Sequence, residues 1–340
     1  MKNAGTKNKQ MGFTLIEILV AMALGIVVLA VIFNTFTSQQ DSYSLQSQVT
    51  MTQQNLRAAL YMISRDIQMA GFYSNFVDSE YSSDWDDNPA TNDNSIRPLI
   101  YHINDADKNF FPDMTIKDKT DILVIVKASA KHRELVPGES GTFGGLVLTN
   151  WEKNGISRNP KDLDGDGDDD LFYYNGAGHS KYGLLVKKDL SRAEIFEVGT
   201  GDNFIFNSGL IETYGEGDEI FKLDVIMYLI DNSDPAHPTL SRRNIGTDNS
   251  FTEIAEDIDN LQFEFLLNDG AIVNNLADDM KRIPLVRAVK TYLIARSEHE
   301  IRGHTDRNDY DMGTAGSYKP ADKYLRRLLS ATIKTRNLGQ

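Results

Sequence analysis

The sequence predicts an α+β protein in which one long N-terminal helix packs on a mainly antiparallel β-sheet head with large loops. An apolar run near the N-terminus passes into a one-sided apolar stripe at helical spacing, and no proline precedes Pro89. Later runs of β-branched and aromatic residues are bounded by Gly, Asn, Asp and Pro, as strands are. No amphipathic stretch longer than about ten residues follows Gly71, which disfavours a parallel βαβ architecture.

The N-terminal region contains a candidate membrane span. A polar leader, residues 1–12, carries three lysines and no acid. In the apolar run that follows, residues 13–36, Glu17 is the only ionisable side chain. As a helix these roughly 24 residues rise about 36 Å, enough to cross a bilayer. The positive-inside rule leaves the leader in the cytoplasm and places the residues after Phe36 beyond the inner membrane.

Glu17 is the one charged group in this run. A lone carboxylate near one end of a membrane helix costs several kcal/mol and is usually paired or functional. If the chain is cut after Gly12, Glu17 lies one helical turn from the new amino terminus of Phe13, and the amine of a neighbouring subunit can neutralise it. The alternative is an interfacial glutamate that lies just outside the hydrocarbon.

The string that begins at Gly12, GFTLIEILVAMALGIVVLAV, resembles the type IV prepilin signature. In that family a membrane-bound prepilin peptidase cuts after the glycine and methylates the new N-terminal residue. The resemblance therefore implies removal of residues 1–12, N-methylation of Phe13 and a role for Glu17 in subunit assembly. A secretory signal would instead place the apolar run ahead of its cleavage site.

Helical patterning continues beyond the membrane run. The apolar positions recur at spacings of three, four or seven: Leu45, Val49, Leu56, Leu60, Ile63, Ile67 and Ala70. Gly71 suits the left-handed position just past a helix end. The pattern predicts one helix over residues 13–70, about 87 Å long, whose second half packs on a globular head. A membrane anchor followed by a dimeric coiled coil is the alternative.

Residues 71–340 are predicted to form a β-rich periplasmic or extracellular head. Strand-like runs occur at 121–127, 145–149, 171–174, 183–187, 194–198, 221–230, 261–267, 286–295 and 331–335. Residues 74–119 are acidic and rich in turn-forming residues. We expect this segment to be a surface loop that contributes little to the core.

Further strings are similar to the PilW group of minor pilins. They are residues 54–60 and 64–72 at the helix end, and 225–229, 239–242, 258–265, 286–297 and 326–337 in the head. The resemblance implies a minor pilin that joins other minor pilins, the major pilin and a tip adhesin. Such a subunit primes assembly of the type IV pilus used in twitching motility and sits at or near its tip. It is a single-pass inner-membrane protein with a periplasmic head before it enters the pilus fibre on the cell surface.

Two other functions fit the same sequence. The large J-type minor pseudopilin of a type II secretion system has the same architecture, and its neighbouring genes would encode secretion components instead of companion minor pilins. A membrane-tethered, calcium-dependent adhesin or binding module that never enters a fibre is the alternative from a different functional class.

An acidic loop, residues 162–170, predicts a structural Ca²⁺ site. Its sequence, DLDGDGDDD, places carboxylates at loop positions 1, 3, 5 and 9 and glycine at position 6. These carboxylates belong to Asp162, Asp164, Asp166 and Asp170. Alternate residues of a tight turn point to one side, so four carboxylates can converge on one hard cation, with the backbone carbonyl of Asp168 as a further ligand. A solvated acidic loop without an ordered ion is the alternative.

Charge and motif content disfavour several functional classes. The formal net charge is −14, and it becomes more negative once the leader lysines are removed, which argues against a nucleic-acid partner. The sequence contains no paired-histidine zinc helix, no complete nucleophile elbow and no phosphate-binding loop. We therefore predict no catalytic residues and no enzyme activity.

The acidic loop gives the first testable prediction. Calcium added to the chelator-treated head, from about residue 41, is expected to raise its melting temperature, because an ion that binds only the folded state stabilises it by mass action. We expect a dissociation constant on the order of 10⁻⁴ M or somewhat tighter, since Tyr173 stands where an EF-hand has its bidentate glutamate. Calorimetry and thermal melting measure both quantities. An equal shift in a variant with asparagine at Asp162 and Asp166 would contradict the assignment.

Overall fold

A computed structural model describes residues 14–72, 100–106, 114–134, 140–142, 145–147, 182–198, 204–205, 213–245, 247–248, 250–276, 282 and 285–338. The helix is α1 (Leu15–Met69). The strands are β1 (Ile100–Ala106), β2 (Thr120–Glu134), β3 (Ser140–Thr142), β4 (Gly145–Val147), β5 (Tyr182–Val186), β6 (Ala193–Val198), β7 (Phe204–Ile205), β8 (Glu219–Asp231), β9 (Thr239–Asn244), β10 (Thr252–Ala255), β11 (Ile258–Leu267), β12 (Ile272–Val273), β13 (Val286–Arg296), β14 (Tyr310–Asp311), β15 (Ser317–Tyr318) and β16 (Arg326–Lys334). The predicted α+β class, a long N-terminal helix with antiparallel sheets, is confirmed.

The chain divides into two compact units, Met1–Thr50 and Met51–Gln340. The described part of the first unit is helical, and its side chains are almost all exposed. The second unit contains the last part of α1 and the strands of the head. We refer to this second unit as the head.

Two main antiparallel sheets and two further two-stranded sheets, β3-β4 and β14-β15, are described in the head. The larger has eight strands in the order β1-β2-β8-β5-β6-β7, with β9 and β10 attached beside β8. The central strand β8 pairs with β2 along one edge, and along the other its first residues pair with β5 and its last residues with β9. The smaller sheet has the order β12-β11-β13-β16. Side chains from both sheets and from α1 meet in one hydrophobic core.

One stripe of α1 is buried in this core. Its fully or nearly fully buried apolar side chains are Leu56, Ala59, Ile63 and Ile67, followed by Ala70 just past the helix. Their spacing of three and four residues places them on one face of the helix. Leu45 and Val49 belong to the predicted stripe but not to the core. The packing on a head agrees with the predicted helix and disfavours the coiled-coil alternative.

The end of α1 is held by the last residues of the chain. Gly71 takes a left-handed φ of 72°, as predicted for the residue after the helix. The last carbonyls of a helix have no partner within it. Here the backbone N–H of Arg336 donates to Gln68 O at 3.3 Å, and Asn337 Nδ2 donates to Ala70 O at 3.3 Å. The backbone N–H of Gly71 also donates to Val126 O of β2 at 3.0 Å.

Most predicted strands occur, with boundaries that differ by a few residues. The strand predicted at 145–149 is β4, and the one predicted at 331–335 is β16, which starts earlier, at Arg326. The strand predicted at 171–174 lies outside the described residues. The two-residue strands β7, β12, β14 and β15 were not predicted, because runs of two residues carry no detectable alternation.

The prediction of a surface loop over 74–119 is wrong in its described part. Residues 100–106 form β1, which pairs with β2. Ile116 is fully buried. Next to it, the backbone N–H of Lys117 donates to Ile230 O of β8 at 3.0 Å, and the backbone N–H of Asn232, just after β8, donates to Thr115 O at 2.7 Å. The partners of these residues come from later in the chain, so local composition did not reveal the pairing.

Asp66 ties the buried face of α1 to the larger sheet. Its carboxylate accepts a hydrogen bond from Tyr228 Oη at 2.6 Å on β8 and from Arg242 Nε at 3.2 Å on β9. Lys127 Nζ of β2 lies 3.1 Å from Oδ1. Burial raises the pKa of the Asp66 carboxyl, but the Tyr228 hydrogen bond and the two cations outweigh it and lower that pKa below its usual value.

Asp259 is the corresponding buried carboxylate of the smaller sheet, which it links to neighbouring segments of the head. It lies fully buried on β11 and accepts from Lys117 Nζ at 2.5 Å, Arg326 Nε at 2.6 Å and Tyr318 Oη at 2.7 Å. The Arg326 guanidinium is also held by both oxygens of Asp322, at 2.5 and 2.6 Å. Burial raises the pKa of Asp259, but the charges of Lys117 and Arg326 prevail and lower it to about 2.

These pairs predict an acid-sensitive head. The pKa of Asp259 is lowered from 3.8 to about 2 by folding, so its stabilisation is complete above the unfolded value and is lost as the pH falls from about 4 to 2. Asp66 acts in the same direction. Asp259→Asn is expected to cost about 3 kcal/mol at pH 7, because it leaves buried cations uncompensated, and to flatten the loss of stability in acid.

Thermal unfolding of the full chain in detergent micelles, followed by circular dichroism from pH 7 to pH 2, measures this prediction. Glu253→Gln on β10 is the matched control, because Glu253 is exposed and its neutralisation removes no buried pair. If Asp259→Asn melted like the control at pH 7, the buried pair would not stabilise the head.

Candidate functional site

The candidate site is the N-terminal part of α1, whose surface is almost entirely apolar. Every large apolar side chain from Leu15 to Phe36 is more than half exposed in the structure. Exposed apolar surface of this extent marks a membrane or protein contact. Within the described residues, α1 is the one helix long and apolar enough to cross a membrane.

A reciprocal cap starts this helix. The backbone N–H of Thr14 donates to Glu17 Oε2 at 2.8 Å, and the Thr14 hydroxyl donates to the same oxygen at 2.9 Å. In return the backbone N–H of Glu17 approaches Thr14 Oγ1 at 3.4 Å. This is the capping-box arrangement, in which the first and fourth side chains satisfy backbone groups that the helix leaves unpaired.

The cap uses only one oxygen of Glu17. Oε2 receives both contacts from Thr14, whereas Oε1 has no hydrogen-bond donor in the described part of the chain. The side chain is exposed. A negative charge in the first helical turn is also stabilised by the helix dipole. Glu17 is therefore positioned by its own chain and keeps one exposed carboxylate oxygen without a donor among the described residues.

Hydroxyl groups near the end of the apolar run are satisfied within the helix. Thr35 Oγ1 donates to Val31 O at 2.9 Å, and Thr37 Oγ1 donates to Phe33 O at 3.2 Å. Such bonds to the preceding turn remove the cost of an unpaired hydroxyl in an apolar medium. The polar side chains at the end of the run are thus compatible with the membrane boundary.

Glu17 was predicted as a functional residue from the sequence, whereas the role of Thr14 was not predicted. The signal was present, because a threonine followed three residues later by a glutamate, ahead of an apolar run, is the sequence pattern of a capping box. Gly12 and Phe13, the predicted cleavage and methylation residues, lie outside the described residues. The same holds for the predicted calcium ligands Asp162, Asp164, Asp166, Asp168 and Asp170.

The described part of the head holds no cluster of three or more His, Asp or Glu side chains suited to a metal ion. One group of three aspartates in this part surrounds an arginine side chain. Asp259, Asp306 and Asp322 all lie within 4 Å of the Arg326 guanidinium. This arrangement serves the fold, since each of these carboxylates is neutralised by arginine.

Comparison with protein families gives two matches. Residues 7–33 match the prokaryotic N-terminal methylation motif, which covers the cleavage region and most of the apolar run. Residues 227–337 match the type IV pilus-assembly protein W (PilW) family, which covers the last residues of β8, the whole smaller sheet and Asp259 with its partners Tyr318 and Arg326. The second match spans about a third of the chain.

Among solved structures, a type IV-like pilin from Thermus thermophilus is similar, with 16% sequence identity over 49% of this chain and 88% of that chain and a TM-score of 0.23. A TM-score this low supports no conclusion about shape. No curated protein matches the chain.

The two family matches overlap the apolar part of α1 and the smaller sheet of the head. The methylation motif coincides with the capped apolar helix, which fits an inner-membrane anchor with the head in the periplasm. The PilW match coincides with the sheet built around Asp259. Together the two matches support a PilW-type minor pilin, with a prokaryotic N-terminal methylation motif at residues 7–33 and similarity to the type IV pilus-assembly protein W family over residues 227–337.

Proposed function

We propose that this minor pilin primes type IV pilus assembly together with other minor pilins and remains at or near the pilus tip. The observation that carries the proposal is an apolar N-terminal helix, whose large side chains are more than half exposed, followed along the chain by a head of about 290 residues. The helix can enter a bundle of similar helices, and the head determines where along such a bundle the subunit fits.

A size comparison favours an end position. An α-helix with its side chains is about 10–12 Å across. The head, roughly 290 residues, has an expected width of about 50 Å when compact. Helices that pack side by side would bring many such heads into collision, whereas one or a few heads fit at the end of the bundle. A priming and tip role requires only few copies.

The proposed function of Glu17 follows from its cap. After cleavage behind Gly12, the new amino terminus of Phe13 is a cation at the same depth as the Glu17 of a neighbouring subunit. Oε1 can accept from that amine while Oε2 keeps its contacts with Thr14. A charge pair in an apolar environment is strong because the dielectric is low. The prepilin peptidase, which creates the amine, is therefore the first partner of the chain.

The J-type pseudopilin and the tethered calcium-dependent adhesin remain the alternatives. A pseudopilin would use the same helix in a secretion system, and its loss would abolish secretion without affecting surface pili. An adhesin would keep its place in the membrane and would not need the Glu17 charge for assembly. Calcium binding at residues 162–170 stays a prediction and is compatible with all three functions.

Deletion of the gene tests the priming role. We expect the number of surface pili and the twitching zone to fall at least tenfold, because assembly lacks one of its initiating subunits. Electron microscopy of sheared pili counts the fibres, and immunogold labelling of a complemented strain is expected to mark fibre ends. Normal piliation in the deletion strain, or label spread evenly along the fibres, would contradict the proposal.

Substitution of Glu17 separates its charge from its cap. Glu17→Gln retains a side-chain oxygen that can accept from Thr14, since glutamine also serves in capping boxes, but removes the charge. We expect leader cleavage to continue, with the mature protein beginning at Phe13, and incorporation into pili to drop at least tenfold. N-terminal sequencing and immunoblots of sheared pili measure the two effects.

Thr14→Ala is the matched control for this experiment. It removes the hydroxyl contacts of the cap, which costs about 1 kcal/mol of helix stability, and leaves the Glu17 charge in place. We expect incorporation close to that of the unmodified chain. Equal incorporation of Glu17→Gln and the unmodified chain would show that the charge is not what assembly uses.

A further inference from the structure

The head contains a polar cleft. It has a volume of about 500 Å³ and lies between β11, the turn before β2 and the segment around β15. Asn260 and Gln262 of β11 form one wall, and Met312 and Tyr318 form another. Cavities of this size with a few placed polar groups are the usual sites of small ligands.

Gln262, which lines this cleft, has a buried acceptor without a partner in the described structure. The side chain is only 3% exposed. Its Nε2 donates to the backbone carbonyl of Lys119 at 2.9 Å, and because a carbonyl oxygen can only accept, this contact fixes which end of the amide is nitrogen. Oε1 therefore lies on the opposite side, where it has no hydrogen-bond donor in the described structure. A buried acceptor without a partner is unusual in a folded protein.

Asn260 supplies a donor beside that acceptor. Its Oδ1 accepts from Gln262 Nε2 at 3.3 Å, which places the Asn260 nitrogen on the other side of its amide. That nitrogen donates no hydrogen bond within the described residues. The two neighbouring amides thus offer one acceptor and one donor to a bound molecule.

The walls of the cleft are fixed in position. The Tyr318 hydroxyl donates to Asp259 at 2.7 Å, which holds its ring at the wall, and Met312 is 3% exposed. Lys119 adopts a left-handed φ of 60°, a conformation that non-glycine residues rarely take. Strained backbone of this kind tends to occur at functional sites, and here it directs the carbonyl that orients Gln262.

The chemistry of the cleft selects a neutral ligand. Asp118 and Lys119 line it with opposite charges, so it has no net preference for an ion of either sign. The strongly negative chain further disfavours anions. No metal-binding group of three or more His, Asp or Glu residues exists in the described part.

We propose that this cleft binds a neutral saccharide through two vicinal hydroxyl groups. One hydroxyl donates to Gln262 Oε1, and its neighbour accepts from Asn260 Nδ2. The hydrogen-bearing face of the sugar ring packs on Tyr318 and Met312. A hydroxyl both donates and accepts, so adjacent hydroxyls match an adjacent acceptor and donor, whereas the N–H and C=O of one trans peptide point in opposite directions. The site is independent of pilus assembly by Glu17.

Saturation-transfer NMR on the full chain tests the site. The protein is held in micelles of lauryldimethylamine oxide, a detergent without a sugar headgroup. The probes are methyl α-glucoside, methyl α-mannoside, methyl β-galactoside and, as the peptide alternative, trialanine. We expect transfer to the ring protons of at least one glycoside and none to trialanine.

Two variants remove the site by different means. Asn260→Asp replaces the donor and keeps the acceptor that Gln262 uses, and Ser317→Trp fills the cleft from an exposed position on its rim. Each is expected to weaken the transfer at least fivefold while the thermal melting curve stays cooperative. Asn268→Asp is the matched control, since it makes the same chemical change at an exposed turn residue just after β11, and its transfer should equal that of the unmodified chain.

Three results would overturn the inference. They are the absence of transfer to all three glycosides, transfer to trialanine alone, and an equal loss in Asn268→Asp and Asn260→Asp. If Asn260→Asp loses its cooperative melting curve, Ser317→Trp decides alone, because its side chain lies outside the core.

Discussion

The burial of one stripe of α1 in the core to which both sheets contribute is the constraint on which the head depends. Ile63 and Ile67 reach the core that both sheets share, and Asp66, beside Ile67, is drawn in with them. A buried carboxylate is tolerated only when it is paired, so the helix can dock only where Lys127 and Arg242 meet it. Turning the helix by one residue, about 100°, would expose the isoleucines and separate the acid from its partners.

The sequence was sufficient for those features that depend on local periodicity. The stripe containing Ile63 and Ile67 repeats at the intervals of a helix. The apolar run before it and the glycine just after the helix are likewise local features of the sequence. Long strands such as β8 and β13 were visible for the same reason, since ten or more residues of β-branched and aromatic character leave few alternatives. The Thr14 cap was also readable, because its two side chains are separated by a fixed spacing along the chain.

Features that depend on distant partners were not predictable. Asp66 and Asp259 have no local pattern that distinguishes them from surface acids. Each is surrounded in the folded head by a lysine, a tyrosine and one or two arginines from other strands or turns. β1 was missed because its pairing partner, β2, lies further along the chain and leaves no local pattern in the residues of β1. The cleft beside Gln262 likewise joins three segments that are remote in sequence, so its unpaired acceptor became visible only in the structure.

The three carboxylates Asp66, Asp259 and Glu17 differ in how their charge is compensated. Asp66 and Asp259 have both oxygens engaged by cations and a tyrosine of the same chain, so folding alone completes their environment. Glu17 lies among exposed apolar side chains with one oxygen capped and the other without a donor in the described residues. In an apolar medium that state costs several kcal/mol unless a cation arrives. Glu17 makes no contact with the described head, so this cost does not oppose the folding of the head. In the function proposed above, association with another subunit's amine would relieve it, and for that reason we propose that Glu17 promotes assembly.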